Sequence, residues 1–146
     1  MEKRNAIIYV DGSYNPNTRV IGCGVALFDG VSNRPHRLAF NKLLKSQAKY
    51  GSCIAEMTAT KTAIKTARSL GFTHIDIFHD WNGVDHFSYR DNIKKRHFLC
   101  RSFASYADFV EEARKYLMIN FIKVKAHSGN KLNNLVDKMA KAGKAN

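Results

Sequence analysis

Four carboxylates carry the chemistry this chain is equipped to perform: Asp11, Glu56, Asp80 and Asp137. Asp11 closes the apolar run Asn5-Ala6-Ile7-Ile8-Tyr9-Val10, and Asp80 closes Ile75-Asp76-Ile77-Phe78-His79. Glu56 interrupts the apolar face of a predicted helix, and Asp137 borders the apolar face of the last one. If the two strands lie side by side, all four meet at one end of a sheet. Like charges brought together cost folding free energy unless a cation neutralises them. The chain carries 24 Lys+Arg against 12 Asp+Glu, a formal charge of +12. A cation site set in a basic protein points to a polyanionic substrate, and so to a metal-dependent nuclease.

The elements that must position these residues follow from periodicity. Ile7 to Asp11 reads as a strand, with Gly12-Ser13-Tyr14-Asn15-Pro16-Asn17 as a turn. Val20–Phe28 and His36–Leu44 read as two further strands, and the short connections make the three an antiparallel meander. From about Ser52 to Leu70, Met57, Ala59, Ala63, Ile64, Ala67 and Leu70 share one arc at 100° per residue. Lys61, Lys65 and Arg68 share the opposite arc, and Gly71 ends the helix. His74–His79 is a central strand, and a short helix is expected within Trp81–Tyr89. Tyr106, Phe109, Val110, Ala113, Tyr116 and Leu117 fall on one helical face. Ile119–Val124 is a fifth strand, and Asn133–Ala142 a final helix.

This order predicts an α/β fold with a five-stranded mixed sheet. Right-handed crossovers lay strand four beside strand one and strand five outside it, giving the order 3-2-1-4-5 flanked by helices. Asp11 and Asp80 then sit at neighbouring C-terminal strand ends, where open α/β sheets bind ligands. With 146 residues and no linker or repeat, residues 1–146 are expected to form a single domain. Neither a membrane-length apolar run nor a signal-peptide core is seen, and Cys23, Cys53 and Cys100 lack metal-ligand spacing. A cytoplasmic monomer that does not engage a membrane is expected.

The motifs, taken in order, are similar to a known family. Tyr9-Val10-Asp11-Gly12-Ser13-Tyr14-Asn15-Pro16 followed by Gly22-Cys23-Gly24-Val25-Ala26 resembles the opening hairpin of type 1 ribonuclease H. Ile54-Ala55-Glu56-Met57-Thr58-Ala59 resembles its first-helix motif, and Phe78-His79-Asp80 its fourth strand. Lys123-Val124-Lys125-Ala126-His127-Ser128-Gly129, with Asn133 and Asp137, resembles its closing motif. The resemblance implies a ribonuclease H-like fold and hydrolysis of the RNA strand of RNA–DNA hybrids, leaving 5′-phosphate and 3′-hydroxyl ends. It implies two Mg²⁺ ions, with Mn²⁺ as a substitute, held by Asp11, Glu56, Asp80 and Asp137. Oxygen donors suit those ions rather than zinc. His127 is implied to assist proton transfer or product release. Substrate contacts are implied at Ser13, Asn15, Ser52, Trp81 and Asn133. The basic segment with Arg90, Lys94, Lys95, Arg96 and Arg101 is expected to grip the hybrid.

The chain departs from the family pattern in two places. Trp81 stands where many members have Ser, and Trp81-Asn82-Gly83-Val84 is similar to a branch with an aromatic residue there. Ser52 and Cys53 stand where Asn or Gln often contacts the 2′-hydroxyl, which bears on RNA-versus-DNA discrimination. A separate N-terminal hybrid-binding module is not expected. Each residue alone has a plainer reading: Asp11 as a turn residue, Asp80 as a helix cap, Asp137 as a solvated helix residue, His127 as a loop histidine and segment 90–101 as a solvated loop. Two other functions remain open from sequence: a ribonuclease H-like DNA nuclease, and a non-catalytic module binding hybrid or double-stranded RNA.

Overall fold

The structure, a computed structural model, describes residues 2–45, 48–94, 101–125 and 130–144. Strands β1 (Asn5–Asn15), β2 (Val20–Phe28) and β3 (His36–Leu43) form the meander. Helix α1 (Gly51–Ser69) follows a short 3₁₀ turn at Ala48–Tyr50 and leads into β4 (His74–His79). A single turn, α2 (Gly83–His86), precedes α3 (Arg101–Ala113), β5 (Met118–Lys123) and α4 (Lys131–Lys144). The strand order is β3-β2-β1-β4-β5. Both meander pairings are antiparallel, and the β1–β4 and β4–β5 pairings are parallel. The expected sheet is therefore the observed one.

Side-chain alternation along β1 divides the interior. Ala6, Ile8 and Val10 enter the main core with Ile54, Met57, Ile64, Phe103 and Val110 from α1 and α3. Tyr9 turns to the other face, where it packs with Ala26, Phe78 and the α4 residues Val136 and Met139. Helices thus cover both faces, and β3, exposed along almost its whole length, forms one edge.

Two glycines set how closely those helices approach. A Cβ on Gly12 would collide with the α1 backbone at Ala55 and Glu56. On the neighbouring strand, a Cβ on Gly24 would collide with the Val136 carbonyl and fall 2.9 Å from the Met139 Cβ. Absence of a side chain at each point lets a helix backbone rest directly on the sheet.

The first hairpin differs from its sequence reading. Gly12 to Asn15 is strand, paired through Asn15↔Val20, and the turn lies at residues 16–19. Arg19 closes it at φ 60°, donating its N–H to the Asn15 carbonyl at 2.8 Å. The run Gly-Ser-Tyr-Asn-Pro carries turn residues, but the ladder to β2 satisfies their backbone groups and overrides local preference. Helix α3 starts at Arg101, earlier than its apolar face suggests, and stops at Ala113. The other boundaries agree within the fraying expected of element ends.

Candidate active site

The β1–β4 ladder ends at the pair Tyr9↔Phe78. Beyond it β1 continues alone beside β2, and the chain turns away after His79. Asp11 lies two residues past that last pair, and Asp80 is the first residue after β4. Asp11 pairs with Gly24, so it shares the face on which α4 rests, whereas Gly12 shares the face beneath α1 and Glu56. Where β4 no longer separates the two faces, carboxylates from both sides meet.

Ligand oxygens of Asp11, Glu56 and Asp80 lie within 4.8 Å of one another. Asp11 is 3% and Glu56 8% exposed. Burial pushes the Asp11 carboxyl up to about 7; its hydrogen bond with Glu56 opposes the rise, and the charges of Asp80 and Asp137 add to it. Glu56 is raised well above the ordinary carboxylate range, by burial first, then by its hydrogen bond with Asp11 and the charges of Asp11 and Asp80. Without a cation, both carboxyls therefore hold their protons more tightly than ordinary carboxylates do. The Gly12 N–H donates to Asp11 Oδ1 at 3.0 Å. Glu56 Oε2 is buried without a hydrogen-bond partner among the described residues. An unpartnered buried carboxylate oxygen is costly, and a hard divalent ion is the partner that an all-oxygen donor set fits.

Asp137 stands at the rim. It is close enough to Asp11 to raise that group, and its Oδ2 is ion-paired with Lys141 Nζ at 3.0 Å, one turn along α4. Sequence reading passed over Lys141, although its spacing of four residues was a visible signal. His127 lies outside the described residues, as do Lys95 and Arg96.

The expected substrate contacts divide. Ser13 and Asn15 are half-buried on β1 beyond Asp11, where the Asn15 side chain accepts the Asn17 N–H at 3.0 Å. Ser52 is exposed in the first turn of α1, and Lys94 is exposed. Arg90 grips Asp108 with two bonds of 2.8 and 2.9 Å, so its guanidinium is engaged on α3. Asn133 is only 2% exposed, and its Oδ1 has no partner among the described residues. Trp81 is half-buried against Phe87. Arg101 heads α3 and lines a cleft of about 440 Å³ with Lys42, Lys45, Lys61, Ser102 and Ser105. Among the described residues no carboxylate lines that cleft. Burial, then the neighbouring charges of Lys65 and Lys42, lowers the Lys61 ammonium. Lys42 and Lys45 escaped the sequence reading because they are distant along the chain from Lys61 and Arg101.

Comparison with known proteins bears directly on this arrangement. The family model for RNase H matches residues 3–145. Comparison with curated proteins gives no match. Among solved structures, the N-terminal RNase H domain of Rv2228c from Mycobacterium tuberculosis superposes with a TM-score of 0.75 at 16% identity, covering 98% of this chain and 95% of that one. RNase H1 from the halophilic archaeon Halobacterium salinarum gives 0.75 at 16% identity, covering 95% and 96%. LC11-RNase H1, isolated from compost by a metagenomic approach, gives 0.71 at 18% identity, covering 97% and 96%. These likenesses show the same fold. A family match running over residues 3–145 reaches beyond single motifs to the entire domain, and the chain belongs to the RNase H family of ribonucleases.

Proposed function

We propose that this protein hydrolyses the RNA strand of RNA–DNA hybrids with two divalent ions, Mg²⁺ or in substitution Mn²⁺, leaving 5′-phosphate and 3′-hydroxyl ends. The observation that carries this reading is the convergence of Asp11, Glu56 and Asp80 with a buried Glu56 oxygen left unpartnered. Asp11, Glu56 and Asp80 hold the ions from both faces of the sheet, with Asp137 completing the set from α4. Bound there, the ions supply activation of the attacking water and charge stabilisation of the leaving 3′-oxygen. His127 is assigned proton transfer or assistance to product release.

Substrate binding is assigned to Ser13, Asn15 and Ser52 near the carboxylates, to Lys94, Lys95 and Arg96, and to the cleft of Lys42, Lys45, Lys61 and Arg101. Four cations facing a cleft that, among the described residues, no carboxylate lines favour backbone phosphate. Arg90, already paired with Asp108, contributes only by exchanging that partner. Asn133, at the start of α4, is assigned to substrate binding as well, while Asn130 orders that helix start by accepting the Leu132 and Asn133 N–H groups at 3.1 and 3.0 Å. The protein is taken to act as a cytoplasmic monomer. No helix among the described residues is long and apolar enough to cross a membrane.

The test is cleavage in Mg²⁺ of matched hybrid, double-stranded RNA and double-stranded DNA. Cuts confined to the RNA strand of the hybrid, with 3′-hydroxyl ends, are expected. Cleavage of double-stranded DNA would indicate a DNA nuclease, and hybrid binding without cleavage a non-catalytic module.

A further inference from the structure

Asp80 sits in the turn leaving β4, and both of its neighbours are anchored. The His79 ring Nδ1 hydrogen-bonds the Trp81 carbonyl at 2.9 Å, bridging across Asp80, and the Val84 N–H donates to the same carbonyl at 3.2 Å. The Trp81 ring folds over Gly83 so closely that a Cβ there would collide with it. It meets Phe87 at 5.9 Å between ring centres. Phe87 meets Phe103 edge-to-face at 4.9 Å, and Phe103 meets Tyr50 edge-to-face at 5.2 Å. Tyr50 is the residue from which α1 starts. The next residue, Gly51, lies against the Tyr14 ring, again leaving no room for a Cβ. Tyr14 is on β1, three residues beyond Asp11. A row of four rings, Trp81, Phe87, Phe103 and Tyr50, therefore joins the segment that carries Asp80 to the start of the helix that carries Glu56, and Gly51 against Tyr14 extends the packing to the strand that carries Asp11.

We propose that Trp81, at the head of this row, is a positioning residue for the carboxylate cluster and not a platform on which substrate bases stack. The inference rests on the reading that Asp11, Glu56 and Asp80 hold divalent ions. Packed rings are directional, two of these three contacts being edge-to-face and the Trp81–Phe87 contact tilted at 41°, so the row transmits position from one segment to the next. Metal sites tolerate displacements of only a few tenths of an ångström in their donors, and supporting residues are known to set that placement. Trp81 is half-buried against the core, so its ring is already engaged. The later members of the row lie on other elements than Asp80, which makes them the decisive ones to perturb.

The experiment compares Trp81→Ala, Trp81→Phe and Phe87→Leu with the unmodified chain. Mn²⁺ binding is measured by calorimetry without nucleic acid, hybrid affinity in EDTA, kcat and KM in Mg²⁺, and melting temperature for each. Trp81→Ala is expected to weaken Mn²⁺ binding about 10- to 100-fold, as loss of a supporting residue does, with hybrid affinity in EDTA changed less than about threefold. Trp81→Phe is expected to recover most of the loss, because a ring is restored to the row. Phe87→Leu, one ring further along the row than Trp81, is expected to weaken Mn²⁺ binding and lower kcat in the same sense. Unchanged Mn²⁺ binding in Trp81→Ala with a raised KM and weakened hybrid affinity would overturn the proposal in favour of stacking. Unchanged Mn²⁺ binding in a folded Phe87→Leu would overturn it as well. If the unmodified chain bound Mn²⁺ yet cleaved no hybrid, the functional reading would fail while the Mn²⁺ titrations still judged the row of rings.

Discussion

Asp11→Asn separates chemistry from stability, because the group proposed to be most needed for cleavage is one the metal-free fold holds at a cost. Burial and its acidic neighbours push the Asp11 carboxyl from 3.8 up to about 7. A carboxyl raised in the folded state binds its proton more tightly there than in the unfolded chain. Its contribution is neutral below about pH 4, turns progressively unfavourable as pH rises to about 7, and stays constant above that. A rise of that size corresponds to roughly 4 kcal/mol, each tenfold in acidity being about 1.36 kcal/mol. Glu56, hydrogen-bonded to Asp11 and raised with it, bears part of this cost, and the amide of Asn is still buried. About 1–3 kcal/mol of stabilisation is therefore expected from the substitution at pH 8 in EDTA. For a chain of this length each kcal/mol moves the melting temperature by about 2–4 °C, so a rise of roughly 5 °C is the central expectation. At pH 4.5 the two proteins should melt nearly together, since wild-type Asp11 is then protonated in the fold. Taking the difference between them cancels the groups they share. Adding Mg²⁺ should raise wild type more than the variant, and the variant should not cleave hybrid. A variant less stable than wild type at pH 8, or a difference independent of pH, would refute the account of crowded carboxylates. Normal cleavage by the folded fraction would refute the assignment of Asp11 to the metal site.

Three other outcomes are expected. His127→Ala should slow turnover by about 10²–10⁴-fold while leaving Mg²⁺ binding intact in a calorimetric titration, as a proton-transfer assistant rather than a ligand would. Replacing Lys94, Lys95 and Arg96 together with Ala should weaken hybrid binding at all sequences and flatten its salt dependence. Each lost phosphate contact should reduce the slope of log K by roughly 0.7–0.9, with single-turnover cleavage at saturating enzyme little changed. Gly12→Ala should cost about 3 kcal/mol in urea unfolding, the upper end for overpacking, because the new methyl meets the α1 backbone rather than a movable side chain.

Much of this protein was determined by the sequence read alone. Alternation along β1 and β4, the apolar arc of α1 and the short meander connections were enough to predict the sheet order, because hydrophobic period and crossover handedness leave few arrangements. Asp11, Glu56 and Asp80 stood out as charges in apolar company, and bringing them together is what the sheet order favoured. Tertiary structure decided what local chemistry contradicted or did not encode. Gly12-Ser13-Tyr14-Asn15 has turn composition but is strand, since pairing with β2 satisfies its backbone. Gly12 reads as a turn residue and Gly24 as one more strand position, yet each is the point where a helix rests on the sheet. Arg90 reads as a substrate-facing cation and is instead paired with Asp108, 18 residues away. The cleft of Lys42, Lys45, Lys61 and Arg101, like the ring row from Trp81 to Tyr50, joins residues from separate elements. Periodicity reports which face of its own element a residue occupies; only packing decides which residue of another element faces it.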